Sequence, residues 1–331
     1  MTVLAIVSDN PGVGKTALCA ALARYVQDIG KKAVVYKPIG TNQDTDVAIY
    51  QNLLGQDLNG VKRVDGSLAQ SLSDIQTSAS TLENDNDLLI VEISASTIDE
   101  DSKTLVEALG AKVISVIGYR SDLKPSELVA TGDIYGDKFV GLLVNGRTRY
   151  KDHQAQTELI SETNKAGVCS LGIIPEDSRL LSVTVADIIE QLNGRIITET
   201  EETDRLVERF LVGGMGLDSG VDYFGLLDRK AVIVRGDRPD IQMAALQTPT
   251  DCLVLTKGIE PIEYVLYEAE EQGVPIVMVD PDTISTMELL STIQDRALFN
   301  HPDKLMRFGE LLKKHVDIAV IMSSVGLDIP G

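Results

Sequence analysis

The chain has 331 residues, 44% of them hydrophobic and 24% charged, with a formal net charge of −20 at pH 7. That length allows two domains of ordinary size, and the balance is that of a globular protein. The acidic surplus argues against sequence-independent nucleic-acid binding, which needs Lys and Arg to displace counterions, and against anionic membrane surfaces.

Val3 to Val7 is an apolar run that predicts a buried strand. It breaks at Ser8-Asp9-Asn10-Pro11, continues as Gly12-Val13-Gly14-Lys15-Thr16, and passes into helical spacing from Ala17 to Ile29. Strand, Gly-rich loop, Lys-Thr and helix in that order make a phosphate-binding loop. Gly12 and Gly14 let backbone N–H groups close around phosphate oxygens, and the helix N-terminus adds a favourable dipole. The residues expected at the nucleotide are Gly12, Val13, Gly14, Lys15, Thr16 and Ala17. Lys15 would reach the β- and γ-phosphates, and the Thr16 hydroxyl would ligate Mg²⁺.

Lys32 to Ile39 reads as a second strand, and Gly40 to Asp46 as a loop. Helical patterns follow near Val47–Leu54 and Ser67–Leu82. Asp87 to Ile93 is a third strand closing on Glu92, which suits the second Mg²⁺ element of a phosphate-loop protein. Further strands are expected at Lys112–Ile117, Phe139–Val144 and Ser170–Ile174, with helices near Ser126–Thr131, Gln154–Ala166 and Val183–Leu192. The alternation predicts an α/β fold, a parallel sheet with helices on both faces. Ligands of such sheets gather at the carboxyl ends of the strands, where Lys15, Lys37, Glu92 and Asn145 fall. Lys37 could instead be a solvated lysine at a strand end, and Asn145 before Gly146 a turn residue. Asp46 and Asp44 both stand where a carboxylate could face the metal.

The charge-dense segment Thr198 to Arg209 reads as a solvated linker. It divides the chain into domains at 1–197 and 210–331, joined by 198–209. Beyond it lie strands at Lys230–Gly236, Cys252–Thr256 and Pro275–Asp280. Helices alternate with them at Pro239–Leu246, Pro261–Gln272, Ile284–Gln294 and Pro302–His315, and Ile318–Met322 reads as a last strand. Asp237, Arg238, Thr256, Asp282 and Thr283 follow strands of this smaller α/β domain and are its ligand candidates. Asp237 and Asp282 equally suit helix N-caps. Cys19, Cys169 and Cys252 have no metal-ligand spacing and read as buried reduced thiols, and His153, His301 and His315 are scattered. With no signal peptide before the first strand and no apolar run of membrane-spanning length, a cytoplasmic location is expected.

On these residues the first domain, from Met1 to about Gly194, resembles the dethiobiotin synthetase-like branch of P-loop proteins. VSDNPGVGKT resembles that family's loop, and Tyr36-Lys37-Pro38-Ile39 its Tyr-Lys-Pro-Val motif. The resemblance implies a P-loop NTPase sheet, with Thr16, Asp46 and Glu92 around Mg²⁺ and Lys15 and Lys37 in catalytic positions. It also implies that Asn145, in Gly141-Leu142-Leu143-Val144-Asn145, reads the adenine edge and that Leu171 to Asp177 closes over the base. From about Asp204 the chain looks like a DRTGG domain, through Leu211–Met215, Arg235–Gln242 and Leu255–Gly258. The pairing is similar to the N-terminal regulatory half of long phosphotransacetylases.

Departures from these patterns narrow the expected chemistry. Asp9 replaces the first Gly of the loop consensus. Asn10 stands where the partition-ATPase branch has its lysine finger, which disfavours a nucleotide-sandwich dimer using that lysine. Glu92 is followed by Ile93-Ser94-Ala95-Ser96 where dethiobiotin synthetases have Gly-rich backbone, so ring-forming carboxylation is less expected than ATP binding. Lys257 stands where the DRTGG pattern has Gly. No phosphotransacetylase catalytic domain follows Gly331, so a whole phosphotransacetylase is not expected. The resulting expectation is an Mg-ATP-binding regulatory protein with at most slow ATPase activity. Its DRTGG domain would sense a small ligand or mediate a homodimer or homo-oligomer. The alternatives are an ATP-dependent ligase that activates a small carboxylate or carbamate, held by Lys37 and Thr41, and a scaffold with structural nucleotide.

Overall fold

The computed structural model describes residues 2–8, 10–40, 45–56, 71–93, 100–148, 159–200, 202–214 and 220–327. The chain forms two compact units, one from Met1–Asp177 with Phe299–Gly331, the other from Ser178–Leu298.

The first unit is built on six strands: β1 (Thr2–Ser8), β2 (Ala33–Tyr36), β3 (Leu88–Glu92), β4 (Lys112–Gly118), β5 (Phe139–Arg147) and β6 (Ser170–Pro175). Their order is β2-β3-β1-β4-β5-β6, and every pairing is parallel. Strands buried on both faces need continuous apolar runs, and Leu4, Ala5 and Ile6 are fully buried. Around them lie α1 (Lys15–Asp28), α2 (Asp46–Leu54), α3 (Leu72–Asp85), α4 (Glu100–Ala108), α5 (Pro125–Tyr135) and the short α6 (Ser161–Lys165). Ile75 and Ala79 of α3 with Leu105 and Val106 of α4 close one face over Val3, Ala5 and Val91. Leu128 of α5 packs with Ile117, Leu142, Val144 and Ile173.

Register fixes what meets at the carboxyl ends. Ile6 lies opposite Glu92, and Tyr36 opposite Val91, so the loop after β1, Lys37 and Glu92 emerge side by side. Asn145 sits opposite Gly118 on the other side of β1.

The second unit has a five-stranded sheet of β8 (Arg195–Ile196), β10 (Arg209–Val212), β11 (Lys230–Arg235), β12 (Thr250–Thr256) and β13 (Ile276–Met278). The order is β10-β11-β12-β13-β8, parallel except for β8. A separate antiparallel pair joins β7 (Val183–Thr184) to β9 (Leu206–Val207). The helices are α7 (Val185–Leu192), α8 (Gly220–Phe224), α9 (Pro239–Leu246), α10 (Glu263–Glu271) and α11 (Thr283–Leu290). Thr184 and Asp187 form a capping box that starts α7. Ile241 and Ala245 of α9 cover one face of the sheet, and Ile188 of α7 and Leu290 of α11 the other.

Two expectations about domain limits are corrected. Thr198–Arg209 is part of the second unit rather than a solvated linker. Leu206 and Val207 are buried in β9, Arg209 begins β10, and the Glu208 carboxylate lies 3.3 Å from Arg179 and 3.6 Å from Arg229. Arg205 also pairs with Glu202 inside the segment. The chain end is also not part of the second unit. Helix α12 (Pro302–His315) buries Leu305, Phe308, Leu311 and Leu312 and packs on α1 and β6. Behind it, the backbone at His315 and Val316 bridges to Gly172 in β6, where an added Cβ would lie 2.0 Å from the His315 carbonyl oxygen. Only glycine admits that approach.

Ile318–Met322, expected as a strand, lies in a helix, α13 (Ile318–Ser324), because the Asp317 side chain accepts from the Val320 N–H at 3.2 Å and caps it. Helix α4 has no counterpart among the expected elements, since only Ser102, Leu105 and Val106 of its residues are buried, too few for a visible stripe. Of the helices expected at Ser67–Leu82 and Gln154–Ala166, residues 67–70 and 154–158 lie outside the described residues. Cys19 and Cys252 are buried, whereas Cys169, in the loop before β6, is exposed. Among the described residues, no helix is long and apolar enough to cross a membrane.

Candidate nucleotide and metal site

The loop after β1 bends through Gly12 at φ 73° and Gly14 at φ 97°. Gly14 is required twice over: its φ is left-handed, and an added Cβ would lie 2.4 Å from the Asn145 amide nitrogen. Helix α1 starts at Lys15 with no side-chain cap, which leaves its first N–H groups facing the loop. Val13 lies against Gly118 of β4, and Ala17 is buried in the first turn.

Lys15 is only 8% exposed, and its ammonium donates to the Ser8 hydroxyl at 2.6 Å. Ser8 in turn donates to the Asn10 carbonyl at 2.7 Å. Burial pushes the Lys15 pKa down, against the opposing pull of Glu92. The Thr16 hydroxyl donates to Glu92 Oε1 at 3.2 Å. Glu92 is 2% exposed, and burial pushes its carboxyl pKa up although the nearby Lys37 ammonium lowers it.

Lys37, 7% exposed, donates to the Asp46 carboxylate, and its ammonium stands 3.9 Å from Glu92 Oε1. Five sequence-predicted residues, Lys15, Thr16, Lys37, Asp46 and Glu92, therefore meet at the ends of three adjacent strands. Lys37 is a buried ion-pair partner, not a solvated lysine. Asp9, Thr41, Asp44 and Ser94–Ser96 lie outside the described residues.

Asn145 falls inside β5, so it is not merely a turn residue. Its side-chain amide donates to the Val13 carbonyl at 2.9 Å, which ties the strand end to the loop backbone. Sequence reasoning missed Tyr50, whose hydroxyl donates to Glu92 Oε2. The available signal was spacing: Tyr50 follows Asp46 by one helical turn. Among the described residues, no three His, Cys, Asp or Glu side chains form a metal cage. Two carboxylates and a hydroxyl are nevertheless a hard oxygen donor set of the kind Mg²⁺ takes when it keeps waters and phosphate oxygens.

In the second unit the candidates mostly bond to near neighbours. Arg235 pairs with Asp237, and Arg238 with Asp240 at 2.7 Å. Asp237 does not cap α9, whose N-cap position is Arg238. Asp282 caps α11, its carboxylate accepting from the Ser285 N–H at 2.9 Å. Thr256 and Thr283 are brought together, hydroxyl to hydroxyl at 3.0 Å. Lys257 takes a left-handed φ of 71° before Gly258.

The sequence of the first unit also matches a known family. Residues 2–184, more than half of the chain, fit the family model described as an AAA domain. The chain belongs to that AAA domain family. Its AAA domain is of the P-loop, dethiobiotin synthetase-like kind, and residues 187–293 match the DRTGG domain. The phosphate acetyltransferase of Nitratidesulfovibrio vulgaris is 23% identical over 359 residues, covering 95% of this chain and 50% of the relative. The chain thus spans about half the length of that curated relative.

Among solved structures, the MinC:MinD cell division protein complex of Aquifex aeolicus is similar with a TM-score of 0.38 and 17% identity, over 55% of this chain and 84% of that one. The CBS and DRTGG domains of the regulatory region of Clostridium perfringens pyrophosphatase, complexed with diadenosine tetraphosphate, give a TM-score of 0.32 and 19% identity, over 44% and 64%.

Proposed function

We propose that this chain is an Mg-ATP-binding regulatory protein with at most slow ATPase activity, and that its DRTGG domain senses a small ligand or pairs two copies of the chain. The observation that carries the reading is the convergence of Lys15, Thr16, Lys37, Asp46 and Glu92 beside the phosphate loop. Backbone N–H groups from Gly12 to Ala17 would surround the phosphates at the start of α1. Lys15 and Lys37 would offset phosphate charge in a site shielded from water. Thr16, Asp46 and Glu92 would hold Mg²⁺, which would supply positive charge to offset that of the phosphates. Asn145 would meet the adenine edge with the amide groups left over from its bond to Val13. Slow turnover is supported by the sequence Ile93-Ser94-Ala95-Ser96, which lacks the glycines that let backbone approach a reacting oxyanion. In the second unit, Asp237, Arg238, Thr256, Asp282 and Thr283 are the ligand candidates. A cytoplasmic location accords with ATP as the ligand.

A second reading, an ATP-dependent ligase for a small carboxylate or carbamate, is favoured by the buried Lys37 ammonium, a cation suited to a substrate carboxylate. One experiment separates the two. The purified chain is titrated with Mg-ATP while ADP release is followed against a panel of small acids, with Lys15→Ala as control. The regulatory reading expects tight binding lost in Lys15→Ala, with turnover below about 1 per second, the low end for enzymes, and indifferent to the acids. Release stimulated by one acid, and lost in Lys37→Ala while ATP still binds, establishes the ligase. Equal ATP affinity in Lys15→Ala and the parent removes the site altogether.

A further inference from the structure

Helix α2 carries Asp46 and Tyr50 at positions i and i+4, so both side chains leave one face a turn apart. Both arrive at the end of β3: Asp46 through Lys37, which stands 3.9 Å from Glu92 Oε1, and Tyr50 directly on Glu92 Oε2. Helix α1 sends Thr16 and Cys19 to the same place, at i and i+3. Thr16 donates to Glu92 Oε1 at 3.2 Å, and the buried Cys19 thiol lies near Glu92 and Tyr50. The two oxygens of one buried carboxylate are thus addressed differently. Oε1 faces groups of the nucleotide site, and Oε2 accepts from a phenol that is itself fully buried. Packing alone would be served by phenylalanine, since a buried hydroxyl costs free energy unless it is paired.

We propose that Tyr50 is a positioning residue for the metal of this site. Its hydroxyl occupies Glu92 Oε2 and fixes the carboxylate with Oε1 turned toward Thr16, so that a single oxygen is presented to a divalent cation. The proposal rests on the Mg-ATP reading above. Groups that orient a metal-ligating carboxylate in this way typically carry about 10–100-fold in metal affinity.

The test uses Mn²⁺ as the probe, with the full chain and its Tyr50→Phe variant. Electron paramagnetic resonance measures Mn²⁺ affinity in the presence of ATP, and ATP affinity is measured separately in EDTA. Tyr50→Phe is expected to lose about 10–100-fold in Mn²⁺ affinity, with ATP affinity in EDTA unchanged. Cys19→Ala disturbs the same buried cluster but leaves the phenol in place, and is expected to keep the parental Mn²⁺ affinity. The proposal is overturned if Tyr50→Phe binds Mn²⁺ as the parent does, or if Cys19→Ala loses as much. A measurement on the unsubstituted chain stands beside these: its tyrosine ultraviolet difference spectrum must shift when Mg²⁺ is added to the ATP complex, and an unchanged spectrum also overturns the proposal. If the parent takes up no Mn²⁺ with ATP, the Mg-ATP reading itself fails, an outcome distinct from failure of the Tyr50 role alone.

Discussion

Both units of this protein end their parallel strands in charged and hydroxyl side chains, but they use them differently. In the first unit the partners are seven or more residues apart and at least one of each pair is buried: Lys15 with Ser8, Thr16 with Glu92, Lys37 with Asp46, Tyr50 with Glu92. In the second, Arg235 bonds Asp237, Arg238 bonds Asp240, and Asp282 bonds the Ser285 backbone, each within three residues and near the surface. The Thr256–Thr283 pair, by contrast, spans distant stretches. The second unit does bury long-range charge, at the other end of its sheet. Lys230 opens β11 and donates to the Pro249 carbonyl, and Glu208 lies beside Arg179 and Arg229. Ligands of parallel sheets gather at carboxyl ends. On the reading proposed above, buried charge at that end of the first sheet would serve a ligand, and at the amino end of the second it would serve the fold.

Lys37→Ala is the strongest way to break that contrast. The substitution leaves Asp46 and Glu92 together without the ammonium between them, with side-chain exposures of 23% and 3%. Removing one member of a buried ion pair costs about 3–5 kcal/mol, and the partial exposure of Asp46 places the expected loss near the lower end. Denaturant unfolding measures it. Because Mg²⁺ offers the missing positive charge, the deficit should shrink when Mg²⁺ and ATP are added. A deficit that ignores them would make the pair structural, like the charges of the second unit.

Legibility in the sequence divides along the same line. The loop, Lys37 and Glu92 are legible because each is a polar interruption at the end of an apolar run, and strand ends are where such sheets bind. Tyr50 is not legible in that way, since a tyrosine inside a helical pattern reads as core until its hydroxyl is seen to meet a carboxylate. Charge density misleads at Thr198–Arg209, where Leu206 and Val207 are buried and Glu208 is paired rather than solvated. Ile318–Met322 is five apolar residues whose periodicity suits strand or helix, and only the Asp317 cap decides. The amphipathic stripe of α12 is visible, but nothing in a stripe states which apolar face it will cover.

A smaller effect probes the amino end of the second sheet. Asp251, beside Cys252 in β12, has a buried Oδ2 without a hydrogen-bond partner, and burial pushes its carboxyl pKa up against the pull of Arg205 and Arg229. A raised folded-state pKa means the folded chain holds the proton more tightly than the unfolded chain. Stability is then lost as pH rises from the unfolded value near 3.8 through the folded one. Asp251→Asn removes the ionisation, so its melting temperature relative to the parent should climb across that window and level off above it. A difference that is flat with pH would mean that Asp251 ionises in the folded chain as readily as in the unfolded one.

The smallest effect is expected at the carboxyl end of the second sheet, and it sharpens the comparison most directly. Arg235 is 48% exposed and Asp237 41%, and water and salt screen exposed pairs of this kind so that they add little to stability. Arg235→Ala should therefore leave the melting temperature almost unchanged, and salt should erase most of whatever difference there is. Mg-ATP affinity, read by calorimetry on the same protein, should not move. A large loss of stability would show that the pair holds the turn into α9, where Gln242 donates to the Arg235 and Gly236 carbonyls at 2.8 and 3.0 Å. A loss of ATP affinity would instead mean that the two units communicate, and that the local pairs of the second unit belong to the same functional system as the buried charges of the first.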